Sequence, residues 1–213
     1  TRRLPIFDGG DADYAKMPTV TPGHKGATLQ YRKIMGLERD PVFLGYMQHP
    51  FFRQLTQRLI GEDVSIFRAM FMNKPAERGT VLPWHQDVGV GWGVDNNPTA
   101  TVWTALDPAV VATGCMQVVP GSHKHGVISE RHFPAEEQLA ECAPPGLEID
   151  LEAEAGEAIL LNNLMLHRSG VNSTEQSRRA FSIAYMDGAS RSTRTGEGYP
   201  MIFGDEALVP ALS

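Results

Sequence analysis

Short apolar or alternating segments dominate the chain after Gly61, and Gly, Pro or Asn bounds each of them. Runs of this length and pattern are typical of β-strands, whereas helices need a longer apolar period. Their roughly even spacing favours an all-β sandwich or barrel over alternating βαβ units, with a jelly roll as the leading candidate. The predicted strands cover residues 64–73, 99–106, 114–119, 148–151, 158–162 and 179–186.

The segment before Gly61 has a helical pattern instead. Asp40 can cap a helix whose first residue is Pro41, and Pro50 restarts the pattern. We expect the second helix to end at Gly61 and the pair to pack on the outside of the sheet, which gives an all-β core with flanking helices. The apolar stripe of that helix is predicted to be Phe51, Phe52, Leu55 and Leu59.

The first 30 residues are rich in Gly, Pro and Thr and show no clear period. They are predicted to be loop, with room for one edge strand. Residues 88–98 and 191–200 are also rich in Gly or Arg, and we expect them to be mobile loops at the rim of the barrel.

Composition narrows the class of protein. A chain of 213 residues with 42% hydrophobic and 21% charged residues fits one soluble globular domain spanning 1–213. The net charge of −6 and the scattered basic residues argue against a nucleic-acid partner, and no apolar run is long enough for a membrane span. The spacing of Cys115 and Cys142 fits neither a zinc site nor a disulfide framework, so we expect a reducing, cytoplasmic setting.

Candidate chemistry is concentrated in the stretch PWHQDVG. His85 and Asp87 are two residues apart, and in a strand this spacing projects both side chains to one side. His167 ends the apolar segment AILLNNLMLH, where a second strand can deliver it opposite this pair. Two imidazoles and one carboxylate form the facial triad of non-haem Fe(II) oxygenases, which leaves three metal positions open. An isolated HxD also arises by chance, so this motif alone is weak.

An arginine strengthens the hypothesis. Arg178 opens the apolar strand RAFSIAYMD, eleven residues after His167. A guanidinium there can bind the distal carboxylate of a dicarboxylate cosubstrate through two parallel hydrogen bonds. Arg179 is the competing choice, since a shift of one residue moves a side chain to the other face of the sheet.

Other polar and aromatic residues have two possible interpretations. Trp84 and Trp92 flank the ligand pair and either line a pocket or pack. Arg191 and Arg194 either meet an anionic substrate or lie in solvent, and solvation is the more common outcome. Cys115 is expected to be a small core residue rather than a nucleophile.

Four motifs together resemble the phytanoyl-CoA dioxygenase family of Fe(II)- and 2-oxoglutarate-dependent oxygenases. They are FRAMFMNKPAERGTVLPWHQD, TVWTALD, GCMQVVPGSHKHG and LHRSGVNSTEQSRRAFS, and the resemblance runs from about residue 33 to 187. It implies a double-stranded β-helix, the cupin-like jelly roll, in agreement with the strand pattern. In PGSHKHG, His123 and His125 match a family turn whose histidine is not a ligand.

The resemblance also implies roles for individual residues. The metal ligands would be His85, Asp87 and His167, and Arg178 would bind the distal carboxylate of 2-oxoglutarate. The other positions that match cosubstrate contacts are Lys33, Met70, Gln86, Trp103 and Ser169, and Lys33 is reached through a weakly similar stretch.

The expected activity is oxidation of a small organic metabolite by Fe(II), 2-oxoglutarate and dioxygen, with release of succinate and CO2. The carboxylate of Asp87 favours hydroxylation or desaturation over halogenation, because related halogenases have a small residue there. Family members are typically longer at the amino end, so the resemblance leads us to expect a lost or omitted preface. Residues 88–98 share little with the human peroxisomal enzyme, and a CoA-ester substrate is therefore not implied.

Two rival hypotheses remain. One is a cupin-like metal isomerase or hydrolase that uses the same three ligands without 2-oxoglutarate. The other is a catalytically silent module that retains the metal site. Arg178 discriminates between the oxygenase and the first rival, because a metal hydrolase has no use for a guanidinium beside its site.

Overall fold

A computed structural model describes residues 6–7, 33–76 and 81–210. Its α-helices are α1 Pro41–Met47, α2 Pro50–Leu59 and α3 Glu136–Cys142, and short 3-10 helices lie at Leu37–Arg39, Val90–Trp92, Val111–Thr113 and Ser122–His125. Its strands are β1 Ile6–Phe7, β2 Lys33–Met35, β3 Val64–Lys74, β4 Leu82–His85, β5 Ala100–Ala105, β6 Met116–Val118, β7 Ile149–Leu151, β8 Ala158–Asn162, β9 His167–Ser169, β10 Arg178–Asp187 and β11 Met201–Phe203.

The strands form two antiparallel sheets. Within the described residues, the larger sheet has seven strands in the order β1-β2-β3-β10-β5-β8, and β11 pairs with β3. The smaller sheet has the order β4-β9-β6-β7. The sheets pack face to face, because Trp103 and Ala180 of the larger sheet share a buried cluster with Met116 and Val118 of the smaller one. This is the predicted double-stranded β-helix.

Helices α1 and α2 cover the outer face of the larger sheet, as predicted. The Asp40 carboxylate caps α1 by accepting hydrogen bonds from the backbone N–H groups of Val42 and Phe43 at 2.9 and 3.3 Å. Leu44 and Met47 of α1 are buried in the core between the helices and this sheet. Burial of this apolar surface fixes the helices on one side of the sheet, opposite the face that packs against the smaller sheet.

The predicted stripe of α2 is wrong in part. The buried residues are Phe52 and Thr56, whereas Phe51 and Leu59 are 60% and 48% exposed. Thr56 can take a core position because its hydroxyl donates to the backbone oxygen of Phe52 at 2.8 Å, so burial leaves no unpaired polar group.

The six predicted strands are confirmed with bounds that differ by at most a few residues. The pattern missed β2, β9, β11 and α3, and it indicated β4 only through the position of His85. Four of these five elements have three or four residues, too few to establish a period. The prediction for the first 30 residues lies outside the described residues except at β1.

The cysteines and the helix lengths bear on two further expectations, a reducing setting and the lack of a membrane span. Cys115 and Cys142 are both free and buried, and Cys115 lies in the core between the sheets as expected. Among the described residues, none of the helices has both the length and the hydropathy that crossing a bilayer requires.

Candidate metal centre

Three predicted ligands meet on the inner face of the smaller sheet. His85 ends β4 and His167 begins β9, and these two residues are direct partners in the pairing of the strands. The Nε2 atoms of His85 and His167 lie 3.9 Å from Oδ1 and Oδ2 of Asp87, respectively. All three ligand atoms lie within 4.8 Å of one another, and all three residues are buried. They are close enough to share one metal ion.

Backbone carbonyls orient both imidazoles. Nδ1 of His85 lies 2.8 Å from the Pro83 oxygen, and Nδ1 of His167 lies 2.9 Å from the Met165 oxygen. A carbonyl accepts only, so Nδ1 carries the proton and the Nε2 lone pair of each ring faces Asp87. This arrangement of a ligating imidazole with its other nitrogen bound to a carbonyl is usual in protein metal sites.

Burial and neighbouring charges keep His85 and Asp87 in their metal-binding protonation states. Burial lowers the pKa of His85 well below its ordinary value, and His167 lowers it further. Burial opposes ionisation of Asp87, but the charge of the Arg68 guanidinium outweighs it and holds the pKa of the carboxyl well below its usual range. A neutral imidazole and an ionised carboxylate are the forms that coordinate metals.

The backbone of Asp87 is fixed from β8 and β5. Its N–H donates to the Asn163 oxygen at 3.1 Å, and its oxygen accepts from Nδ2 of Asn163 at 3.2 Å. Oδ1 of Asn163 in turn accepts from the Thr101 hydroxyl at 3.0 Å, and Asn163 is fully buried. These bonds tie the loop that carries Asp87 to the larger sheet and thereby set the position of the carboxylate.

The triad lines a cavity between the two sheets that encloses about 630 Å³, counted with its open mouth. Methionine and leucine side chains from both sheets form its apolar walls. Of the described residues that line it, four are Lys or Arg and only Asp87 is acidic. The cavity is therefore suited to anionic small molecules.

The structure distinguishes the two candidate arginines. Arg178 is 7% exposed and lines the cavity, where its guanidinium carbon lies 5.2 Å from the centre of the Trp103 ring. Its Nε is buried without a hydrogen-bond partner among the described residues, and burial lowers its pKa to about 10. Arg179 instead turns outward and binds Asp107, with Nη2 at 2.6 Å from Oδ1 and Nε at 2.7 Å from Oδ2.

Four of the five other predicted cosubstrate residues line the same cavity: Lys33, Met70, Trp103 and Ser169. The hydroxyl of Ser169 accepts a hydrogen bond from Nζ of Lys74 at 2.8 Å, and Lys74 also donates to the Gly170 oxygen. Lys74 thus holds the end of β9 next to the cavity.

Gln86 is the exception, because the structure does not bring it to the cavity. Its Nε2 donates to the oxygens of Gly126 and Leu164 at 2.8 and 2.6 Å, and its Oε1 accepts from the Ile128 N–H at 2.8 Å. The alternation that directs His85 and Asp87 inward turns the residue between them away. Gln86 therefore binds neighbouring loops.

Two residues that contact the triad have no role predicted from the sequence. Arg68 of β3 donates from Nη2 to Oδ2 of Asp87 at 3.0 Å. The ring of His132 lies 4.9 Å from that of His85, and burial lowers the pKa of His132 to about 4. Arg68 precedes Met70 by two residues in β3, so strand alternation signals a shared face, whereas no sequence pattern places His132.

The two glycine- and arginine-rich loops bind each other. Val94 forms a β-bridge with Ser192, and Arg194 donates to the Gly91 oxygen at 3.2 Å. Trp92 packs on Phe67 with ring centres 4.6 Å apart and does not line the cavity. Arg191 and Arg194 do not line it either; Arg191 donates to the backbone oxygens of residues 188–190. Trp84 lies under Arg168, at 4.5 Å from its guanidinium carbon.

The donor set fits one divalent iron. Two neutral imidazole nitrogens and one carboxylate oxygen make up the facial triad, and the buried Nε of Arg178 offers a hydrogen bond to a carboxylate elsewhere in the same cavity. A structural zinc site would use four protein ligands.

Comparison with known proteins agrees with this geometry. The family model described as Phytanoyl-CoA dioxygenase (PhyH) matches residues 19–180. A probable phytanoyl-CoA dioxygenase of Caenorhabditis elegans is 32% identical over 167 residues, which cover 72% of this chain and 53% of that protein. The human peroxisomal phytanoyl-CoA dioxygenase is 25% identical over 164 residues, covering 72% and 48%. The chain spans about half the length of these relatives.

Solved structures support the fold. The non-heme monooxygenase ThoJ in its apo form superposes with a TM-score of 0.65 at 27% identity, covering 78% of this chain and 64% of that one. EctD from S. alaskensis with 2-oxoglutarate and 5-hydroxyectoine superposes with a TM-score of 0.72, covering 94% and 76%. At 21% identity the second comparison speaks for the fold alone.

Proposed function

Because the chain belongs to the phytanoyl-CoA dioxygenase family, we propose that it is an Fe(II)- and 2-oxoglutarate-dependent dioxygenase that hydroxylates or desaturates a small organic metabolite. In the hydroxylation, one dioxygen converts 2-oxoglutarate to succinate and CO2 and a C–H bond of the substrate to C–OH. The observation that carries the proposal is the buried triad His85, Asp87 and His167 in one cavity with Arg178.

His85, Asp87 and His167 would hold the iron. When bound, Fe(II) supplies the activation of dioxygen that couples decarboxylation of 2-oxoglutarate to substrate oxidation. The hydrogen bonds from the imidazole Nδ1 atoms to Pro83 and Met165 orient both rings before any metal arrives, so little reorganisation accompanies binding.

Arg178 would receive the distal carboxylate of 2-oxoglutarate. Its guanidinium carbon lies 5.2 Å from the centre of the Trp103 ring, and its buried Nε, which has no partner among the described residues, would donate to that carboxylate. Met70, Trp103 and Ser169 line the cavity around it and would exclude water from the cosubstrate. A metal isomerase or hydrolase would leave this guanidinium without a task.

The two free, buried thiols favour a reducing compartment, and we propose a cytoplasmic location. The partner that the cavity supports is a small-molecule substrate.

An anaerobic titration with Fe(II) and 2-oxoglutarate tests the proposal. We expect a visible charge-transfer band that is lost in His167→Ala and kept in His125→Ala, a matched control at an exposed histidine. In air the wild-type protein should release succinate. Iron binding without the band, together with no succinate in air, would rule out the oxygenase and favour the metal isomerase or hydrolase.

A further inference from the structure

Arg68 is a cation beside the proposed metal ligands, and the proposed reaction gives it no role. It belongs to β3, its side chain is 15% exposed, and its Nη2 lies 3.0 Å from Oδ2 of Asp87. The guanidinium carbon lies 4.5 Å from the centre of the Trp92 ring. Its Nε is buried and has no hydrogen-bond partner among the described residues. One donor of this group therefore lacks a partner within the described residues, in a side chain that lines the cavity.

The strand register separates Arg68 from the proposed cosubstrate subsite. Arg178 of β10 pairs with Lys74 of β3, whereas Arg68 pairs with Ala184. Arg68 and Lys74 are six residues apart in β3, which corresponds to about 20 Å between their Cα positions. A five-carbon dicarboxylate bound to Arg178 is much shorter than this distance. Arg68 therefore faces a different part of the cavity.

Aromatic residues build the wall around Arg68. Trp92 packs between Phe67, at 4.6 Å between ring centres, and His132, at 6.1 Å. The loop that carries Trp92 is held by the bridge between Val94 and Ser192. The guanidinium is thus fixed on one face by an indole, and its orientation does not depend on a ligand.

The balance of charges in the cavity favours a further anion near Arg68. A divalent metal, Lys33, Arg178 and Arg68 carry five positive charges, and Asp87 with dianionic 2-oxoglutarate carries three negative charges. Arg168, another cation of the cavity lining, is already engaged by Glu148 at 3.7 Å. Once Asp87 shares its charge with a metal, Arg68 is left undercompensated in a buried setting, which costs free energy unless an anion enters.

We propose that the substrate is a small molecule with a free carboxylate and that Arg68 binds this carboxylate; the inference rests on the proposed function. Because Arg68 contacts a metal ligand directly, the oxidised carbon lies only a few bonds from the carboxylate. A thioester lacks the recognised group, so the free acid, not its ester, is the substrate.

Matched acid and amide probes test this inference. Each carboxylic acid of a metabolite library, with linear, cyclic and aromatic members, is paired with its primary amide, which has almost the same shape and no charge. Binding is measured by calorimetry on protein loaded with Zn(II) and N-oxalylglycine, and succinate release is measured in parallel on the iron form. We expect at least one acid to bind tenfold or more tightly than its amide and to stimulate succinate release.

Variants assign the recognition to Arg68. Arg68→Met should remove the preference for the acid, Arg68→Lys should retain part of it, and Arg58→Met, at an exposed arginine of α2, should not change it. Equal binding of acids and amides by the wild-type protein, no binding by any acid, or an unchanged preference in Arg68→Met would each overturn the inference. The wild-type comparison remains decisive even where a variant fails to fold.

The outcomes also separate this inference from the proposed function. The anaerobic charge-transfer band with Fe(II) and 2-oxoglutarate needs no substrate. If the protein shows this band and releases succinate but has no preference for acids, the proposed oxygenase activity stands and only the proposed role of Arg68 is refuted.

Discussion

Strand β10 has two faces with opposite compositions. Its outer face carries Phe181, Ile183 and Tyr185, all buried in the core under α1 and α2. Its inner face carries Arg178, Ala180, Ser182 and Ala184, which are also buried but mostly small. The outer face stabilises the fold through aromatic packing, while the inner face leaves space and places one cation. Stability and ligand binding are therefore divided between alternate residues of a single strand.

Removing an outer side chain should have the largest effect. Phe181 packs edge-on against Phe43 with ring centres 5.1 Å apart and lies 5.7 Å from Tyr46. We expect Phe181→Ala to lower the free energy of unfolding by about 3–5 kcal/mol, because it leaves a cavity among rings that cannot collapse. Urea denaturation measures the change. Ser182→Ala on the inner face is the control and should cost below about 1 kcal/mol; equal losses would refute the division.

Changing Arg178 should affect ligand binding and spare the fold. Arg178→Met is expected to weaken 2-oxoglutarate binding about 100-fold, because charged hydrogen bonds contribute ~1.5–3 kcal/mol each. Its unfolding free energy should stay the same or rise, since a buried guanidinium with an unpaired Nε is replaced by an apolar side chain of similar length. Calorimetry with 2-oxoglutarate measures the affinity.

Arg179→Met is the matched control for Arg178→Met, because it changes the next residue on the opposite face. It should bind 2-oxoglutarate as the wild type does. A loss of affinity in Arg179→Met with none in Arg178→Met would reverse the assignment of the two arginines.

The smallest effect is expected at the exposed end of the outer face. The side chain and backbone N–H of Arg179 bind Asp107 and lower the pKa of its carboxyl. A depressed pKa stabilises the fold above the unfolded value of about 3.9, and this contribution is lost as the pH falls through the folded value. Asp107→Asn should therefore cost below about 1 kcal/mol at pH 7, because Arg179 is half exposed.

The pH dependence checks the assignment of Asp107. The difference in unfolding free energy between wild type and Asp107→Asn should shrink as the pH falls below 4. A difference that persists at the lowest accessible pH would show that the hydrogen bonds, not the ionised carboxylate, account for it.

Alternation explains how much of the centre the sequence could predict. The i, i+2 spacing of His85 and Asp87 survives in the structure because both lie near the end of β4, where one face of the sheet points inward. Arg178 rather than Arg179 faces the cavity because β10 and β3 pair with Arg178 opposite Lys74. That register depends on contacts between residues distant in sequence. The sequence alone therefore could not decide which of the two arginines faces the cavity.

The parts that the sequence did not predict come from irregular segments. His132 lies in a loop, and Trp92 ends the short 3-10 helix Val90–Trp92. The bridge between Val94 and Ser192, which are distant in sequence, holds the segment that follows Trp92. Gln86 was assigned to the cosubstrate by family position, yet its alternation with the two ligands directs it away. Periodicity has no information on loops, and a motif position alone does not state which way a side chain points.

The position of Gln86 has a consequence for protein engineering. Its three hydrogen bonds fasten the backbone at Gly126, Ile128 and Leu164 to the metal strand. Segment grafts that change the backbone path at Gly126 or Ile128 are expected to loosen the candidate metal ligands, because both bonds use backbone atoms. Exchanges that begin after Ile128 keep these bonds. The stretch from Ser129 to Phe133 follows these hydrogen bonds, and the ring of His132 lies 4.9 Å from that of His85, so exchanges there act directly on the candidate metal centre.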